Sequence, residues 1–184
     1  LGNAIIVTDV GQHQMVACRY ANFNHSNSNI TSGGLGTMGF GLPAAIGAKY
    51  GAPHKQVVAI IGDGGFQMTI QELGTIMQFG AAVKILILNN EFLGMVRQWQ
   101  QLFHEKRYSS VNITSPNFVA VAQAYYIQAQ KVSQRHQLKQ ALKTMLDCHN
   151  AYLLEVMVGK ENNVFPMVPQ GRGVAEIILS KEEL

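Results

Sequence analysis

Two side chains have the types and spacing to do chemistry together. They are Asp63, within Gly62-Asp63-Gly64, and Asn90, closing the pair Asn89-Asn90. A carboxylate and a side-chain amide are both oxygen ligands, which suit a hard cation such as Mg²⁺. That ion takes few protein ligands and completes its shell with substrate phosphates and water, so one charged and one neutral oxygen fit a cation bridging a diphosphate. Gly62, Gly64 and Gly65 flank the aspartate. Glycines there permit a tight turn and leave backbone amides free to face a phosphate. Either half alone is commonplace, since Asp-Gly is a frequent turn and Asn-Asn a frequent strand terminator.

The elements around them give the pair its meaning. Val57-Val58-Ala59-Ile60-Ile61 and Val83-Lys84-Ile85-Leu86-Ile87-Leu88 are near-continuous apolar runs, as in parallel strands covered on both faces. Ala4-Ile5-Ile6-Val7, Ile127 to Val132 and Tyr152 to Val158 read as further strands. Helical spacing appears over Thr37 to Tyr50, Phe66 to Phe79, Leu93 to Phe103, Pro116 to Tyr125 and Gln134 to His149. Strand and helix alternate throughout, which predicts an α/β fold: a doubly wound, mainly parallel sheet with helices on both faces. Ligands on such sheets bind at the carboxyl ends of the strands, where Asp63 and Asn90 both fall. The tail from 160 to 184, with Pro166, Pro169, Gly171 and Gly173, reads as irregular and wrapped over the surface.

The chain has 184 residues, enough for one domain with a sizeable core, and 47% hydrophobic residues place it among globular rather than disordered chains. A net charge of +3 with scattered Lys and Arg points to neither nucleic acid nor an anionic membrane face. Cys18 and Cys148 have no CxxC spacing, which argues against a disulfide scaffold or a zinc site and for a reducing compartment. No apolar run reaches the length of a membrane span, and no signal peptide is expected. The chain opens on Leu1 and enters a strand almost at once, so a C-terminal fragment of a longer polypeptide is expected.

Gly34-Leu35-Gly36-Thr37-Met38-Gly39 matches the dinucleotide fingerprint G-x-G-x-x-G, but its context does not. The preceding Asn27-Ser28-Asn29-Ile30-Thr31-Ser32 reads as polar and turn-like, and no Asp or Glu follows between Gly39 and Ile61. No glycine is followed by Lys-Ser or Lys-Thr, which excludes a Walker A loop.

GDG, about thirty residues, then NN resembles the signature of thiamine-diphosphate enzymes. The flanking sequence resembles one branch of them, the acetohydroxyacid (acetolactate) synthases. The resemblance runs in order through Gly11-Gln12-His13-Gln14-Met15, Ser32 to Gly39, Gly41-Leu42-Pro43-Ala44-Ala45-Ile46-Gly47-Ala48 and Lys84 to Asn90. It continues through Gly94-Met95-Val96-Arg97-Gln98-Trp99-Gln100 and Pro166 to Gly171. The whole chain, residues 1–184, is thereby similar to the C-terminal thiamine-diphosphate-binding domain of the catalytic subunit.

The resemblance implies Asp63 and Asn90 as side-chain ligands of Mg²⁺, with the backbone carbonyl of Phe92 as a third. It implies that Gly64 and Gly65 face the diphosphate through their amides and that Gln12 and His13 contact it. Gly36 would accept from the aminopyrimidine through its carbonyl, Met38 would support the bent cofactor, and Leu93, Gly94 and Met95 would line it. Trp99, with Met95 one turn earlier, would shape the pocket that favours 2-ketobutyrate as second substrate. Bland readings stand beside these: Met38 and Trp99 could serve as core residues, and the five remaining histidines as solvated or packing ones. Departures from the family pattern are Val16, where Trp is frequent, together with Gly65 and Gln67. The loop from Gln100 to Ser115 resembles a segment expected to be mobile without ligand.

The resemblance implies that thiamine diphosphate performs the chemistry on a 2-keto acid, with the protein holding and bending it and helping to deprotonate it. In the family the activating glutamate comes from the partner subunit's N-terminal domain, so no catalytic residue is assigned here; Glu72 and Glu91 read as surface or turn residues. FAD would sit on a middle domain that this chain lacks. The function implied is the condensation of two pyruvates to 2-acetolactate, or of pyruvate with 2-ketobutyrate, in branched-chain amino-acid biosynthesis, with the isolated chain inactive. Homo-oligomers, dimers or tetramers, and a regulatory subunit are implied as partners, and the cytoplasm as location unless an organellar targeting segment has been removed. One alternative is another thiamine-diphosphate-dependent decarboxylase or oxidase, against which the Gln98-Trp99 segment and the Pro166 tail speak. A non-catalytic binding module would have lost its metal ligands, and Asp63 and Asn90 are intact.

Overall fold

The computed structural model describes residues 3–180 and 182. Six strands form one parallel sheet: β1 (Ile5–Thr8), β2 (Asn29–Thr31), β3 (Val57–Gly62), β4 (Val83–Asn89), β5 (Gln128–Val132) and β6 (Tyr152–Met157), in the order β2-β1-β3-β4-β6-β5. The helices are α1 (Gln12–Tyr20), α2 (Gly41–Gly51), α3 (Asp63–Met68), α4 (Leu73–Phe79), α5 (Gly94–Phe103), α6 (Phe118–Ala124) and α7 (Arg135–Asp147). β3 and β4 are central because their runs are apolar at nearly every position and can be covered on both faces. On β4, Val83, Ile85 and Ile87 point to one face, into a core with Leu42, Phe66, Leu73, Ile76 and Phe118 from α2, α3, α4 and α6. Leu86 and Leu88 point to the other, where Leu138, Ala141 and Met145 of α7 meet Leu154 and Val156.

The chain winds outward from β1 to β2, returns to β3 and continues the other way to β4. Strand order therefore reverses between β1 and β3, and a crevice opens at their carboxyl ends. The segments leaving β1, β3 and β4 bring Gln12 and His13, Asp63, and Asn90 to that edge.

Four readings of the sequence need correction. The stretch read as turn-like before Gly34 contains β2, which pairs only with β1. A sheet edge tolerates so short and polar a strand. Helix α1 was not anticipated, because its first turn, Gln12-His13-Gln14, is polar. The helix expected from Thr37 begins at Gly41, after Gly36 and Gly39 at φ of 61° and 85°. The helix expected over Phe66 to Phe79 is broken: α3 starts at Asp63, a 3-10 turn spans Ile70–Glu72, and α4 follows. The tail is irregular apart from a 3-10 turn at Val174–Glu176 and a bridge between Met167 and Ile178.

Candidate functional site

At the carboxyl edge of the sheet lies a cleft of about 500 Å³. Gln12, His13, Gly36, Met38, Asp63, Gly64, Gly65, Asn90, Phe92, Leu93, Gly94, Met95 and Trp99 all line it. Every residue singled out in the sequence is thus brought to one surface, although the roles expected of each are a separate matter.

Asp63 follows β3 directly and is 1% exposed. Its Oδ2 accepts from the Ser115 hydroxyl at 3.1 Å, and among the described residues it makes no ion pair. Burial pushes its carboxyl pKa up, with the Ser115 hydroxyl and the backbone amides of Asn90 and Glu91 pulling the other way. A buried carboxylate with neutral donors and no counter-charge is a place that favours a cation. Asn90 follows β4, and its Oδ1 accepts from the Phe92 amide at 3.1 Å, which leaves that oxygen a second lone pair. Glu91 and Leu93 bond across to Ile113 and Val111, so the Phe92 carbonyl takes no bond from that short ladder. One carboxylate, one amide oxygen and one carbonyl suit Mg²⁺ far better than zinc. Among the described residues there is no cluster of three His, Cys, Asp or Glu that would hold a softer metal.

The glycines are fitted to their neighbours. A Cβ on Gly94 would lie 2.5 Å from Gln12 Oε1 and 2.8 Å from Asn90 Nδ2, so Gln12 and Asn90 meet over it. On Gly64 it would lie 3.0 Å from Leu93 and 3.6 Å from Met38, which places those two side chains at the mouth of the β3 turn. On Gly62 it would strike the His13 ring at 2.9 Å. His13 Nε2 is buried without a partner among the described residues, and desolvation lowers its pKa to about 4 although the nearby Asp9 pulls upward. Trp99 stacks on Phe103 with ring centroids 4.9 Å apart.

A family model described as "Thiamine pyrophosphate enzyme, C-terminal TPP binding domain" matches residues 9–156, a span that includes both Asp63 and Asn90. The chain belongs to that family. Its thiamine-pyrophosphate-binding domain is 49% identical over 178 residues to the acetolactate synthase large subunit of Lactococcus lactis subsp. lactis (strain IL1403), covering 96% of this chain and 31% of that protein. It is 46% identical over 177 residues to the acetolactate synthase isozyme 2 large subunit of Escherichia coli (strain K12), covering 96% and 32%. To the mitochondrial acetolactate synthase of Schizosaccharomyces pombe it is 50% identical over 174 residues, covering 95% and 26%. The solved thiamine diphosphate-dependent 4-hydroxybenzoylformate decarboxylase from Rhodococcus jostii RHA1 matches with a TM-score of 0.79 and 28% identity, over 86% of this chain and 30% of that one. The chain thus spans about a third or less of the relatives it matches.

Three features of the thiamine-pyrophosphate-binding domain escaped the sequence reading. Asp9, 0% exposed, accepts from the Gly39 and Gly41 amides at 3.1 and 2.7 Å and so pins the loop that carries Met38. A Cβ on Gly65 would lie 2.2 Å from Asp9 Oδ1, so Gly65 must stay glycine while Asp9 is there. The third is the tail: Val158, Gly159 and Asn162 to Phe165 form a wall of the cleft, not merely a surface wrap. Gln98, 2% exposed, holds that wall, its Oε1 accepting from Val164 N and Gln12 Nε2, both at 2.8 Å. Arg97 binds the Lys160 carbonyl at 2.9 Å and the Glu161 carboxylate at 2.7 Å. Only the irregular composition of the tail was visible in sequence, and a glutamine inside a helix carries no mark of its partner.

Proposed function

We propose that this domain holds thiamine diphosphate through Mg²⁺, and that it is the cofactor-binding part of an acetolactate synthase joining two pyruvates, or pyruvate and 2-ketobutyrate. The observation that carries it is the buried, cation-less Asp63 carboxylate set against Asn90 and Phe92, in a chain about half identical to acetolactate synthases. Asp63, Asn90 and the Phe92 carbonyl would hold the ion, and Gln12, His13, Gly64 and Gly65 the diphosphate. Gly36, Met38, Leu93, Gly94 and Met95 would contact the cofactor's rings, and Trp99 with Met95 would bound the second substrate. When bound, thiamine diphosphate supplies the electron sink for cleaving and joining 2-keto acids. The protein's work is to fix the diphosphate, keep water from the apolar side of the cleft, and place Met38 and Leu93 around the cofactor.

No acid of this chain is assigned the activating proton transfer. Glu91 pairs with Lys160 at 3.1 Å, and Glu72 accepts from Thr75 at 2.8 Å. That acid, and a site for FAD, belong on segments that the longer relatives have beyond this chain's span. We therefore expect the isolated chain to bind without turnover. Association into dimers or tetramers, a separate regulatory subunit and a cytoplasmic or organellar location follow from the same reading. No helix among the described residues is long and apolar enough to cross a membrane.

A second reading, a 2-keto acid decarboxylase, is favoured by the similarity to the Rhodococcus enzyme. A chimera separates the two, with this chain replacing the corresponding third of the Lactococcus large subunit. Given pyruvate, Mg²⁺, thiamine diphosphate and FAD, acetolactate is the expected product. Release of free acetaldehyde in its place would favour the decarboxylase, and acetolactate made by this chain alone would contradict the missing acid.

A further inference from the structure

Glu155 lies in the middle of β6, 1% exposed, on the face of the sheet that also carries Leu153. Its Oε1 accepts from Asn89 Nδ2 at 2.8 Å and from Lys131 Nζ at 3.0 Å, while Oε2 is buried without a partner among the described residues. Lys131, on β5, is its ion-pair partner and is itself half exposed. As a stabilising device this is poor, because a well-packed apolar residue does as well as a buried ion pair or better. Its placement supplies another reason for it.

Asn89 ends β4 and is 2% exposed. With Nδ2 held by Glu155, its Oδ1 is aimed at the Glu91 amide, from which it accepts at 3.0 Å. Glu91 has a φ of 58°, a left-handed conformation that a side chain with a Cβ rarely adopts unless its surroundings enforce it. It stands between Asn90 and Phe92, and the next bond of the same kind runs from the Phe92 amide to Asn90 Oδ1. The two asparagines therefore make consecutive side-chain-to-backbone turns. The first is anchored inside the sheet and the second faces the cleft.

We propose that Glu155, acting through Asn89, is a positioning residue for the divalent-cation site, with Lys131 as its charge partner. β6 thereby sets, from behind, the turn that presents Asn90 and the Phe92 carbonyl. This rests on the Mg²⁺ reading above and extends it to a strand none of whose own residues line the cleft.

Two variants test it. Glu155→Leu removes the acceptor for Asn89, whereas Glu155→Gln keeps an acceptor of the same shape without the charge. Mg²⁺ binding is titrated calorimetrically with thiamine diphosphate present, and hydrogen exchange at the Glu91 amide is followed in the metal-free chain. Loss of an outer partner of a metal site typically weakens affinity about 10- to 100-fold. Glu155→Leu should show that loss and a rise in Glu91 exchange larger than at the β3 amides, and Glu155→Gln should fall between it and wild type. Wild-type Mg²⁺ affinity and Glu91 exchange in both variants would overturn the proposal. Should Glu155→Leu not fold, Glu155→Gln and Lys131→Met decide by the same two readouts. If the wild-type chain takes up no Mg²⁺, the cation reading itself falls and the positioning role falls with it. Glu91 exchange then shows separately whether Glu155 holds the turn.

Discussion

Asp63 combines two demands that oppose each other in the empty protein. Its carboxylate must be ionised to hold a cation, yet burial raises its pKa above the ordinary carboxylate value. A raised folded-state pKa means that this group's stabilising contribution is present below the unfolded value and is lost as pH rises through the folded one. Ionising this side chain as pH rises therefore destabilises the metal-free domain. Asp63→Asn should melt higher than wild type without Mg²⁺. With Mg²⁺ and thiamine diphosphate present, only the wild type should gain, so the order of melting temperatures reverses. His13 titrates with the opposite sense. Its pKa is lowered to about 4, so its contribution is complete above pH 6.5 and is lost as pH falls toward 4. Burying it neutral should cost up to about 3 kcal/mol across that window, at 1.36 kcal/mol per unit. Urea unfolding of wild type against His13→Gln, between pH 7 and 4, isolates the difference.

At the scale of elements, the site is assembled by strand ends and held by glutamine and asparagine side chains. Gln98 is the clearest example, since it ties α5 to both Gln12 and Val164. Gln98→Leu leaves the buried Val164 amide unpaired and should cost about 1–3 kcal/mol. Limited proteolysis of the tail near Asn162 should accelerate in that variant. Much of this architecture could be read in the sequence, for a physical reason. β3 and β4 are covered on both faces, so their apolar runs are continuous, and the polar residues that end them fall at the ligand-binding edge. β2 and α1 escaped because an edge strand and a half-exposed helix need no continuous apolar pattern. Asp9, Gln98 and Glu155 escaped for a related reason. A buried polar residue is specified by partners far away in the chain, 24 to 86 positions off in these cases, and local pattern says nothing of them.

The whole molecule is a doubly wound sheet whose carboxyl edge carries a cleft walled by segments from β1, β3, β4 and the tail. On its surface Tyr20, Leu35, Phe79, Tyr126 and Val174 are each more than half exposed. The central claim remains the local one, that the unit from Gly62 to Asn90 holds Mg²⁺ and a diphosphate. Its most direct test is isothermal calorimetry of Mg²⁺ with thiamine diphosphate into wild type and Asp63→Ala. The account predicts saturable heat for wild type and none for Asp63→Ala. Equal heats from the two would contradict it.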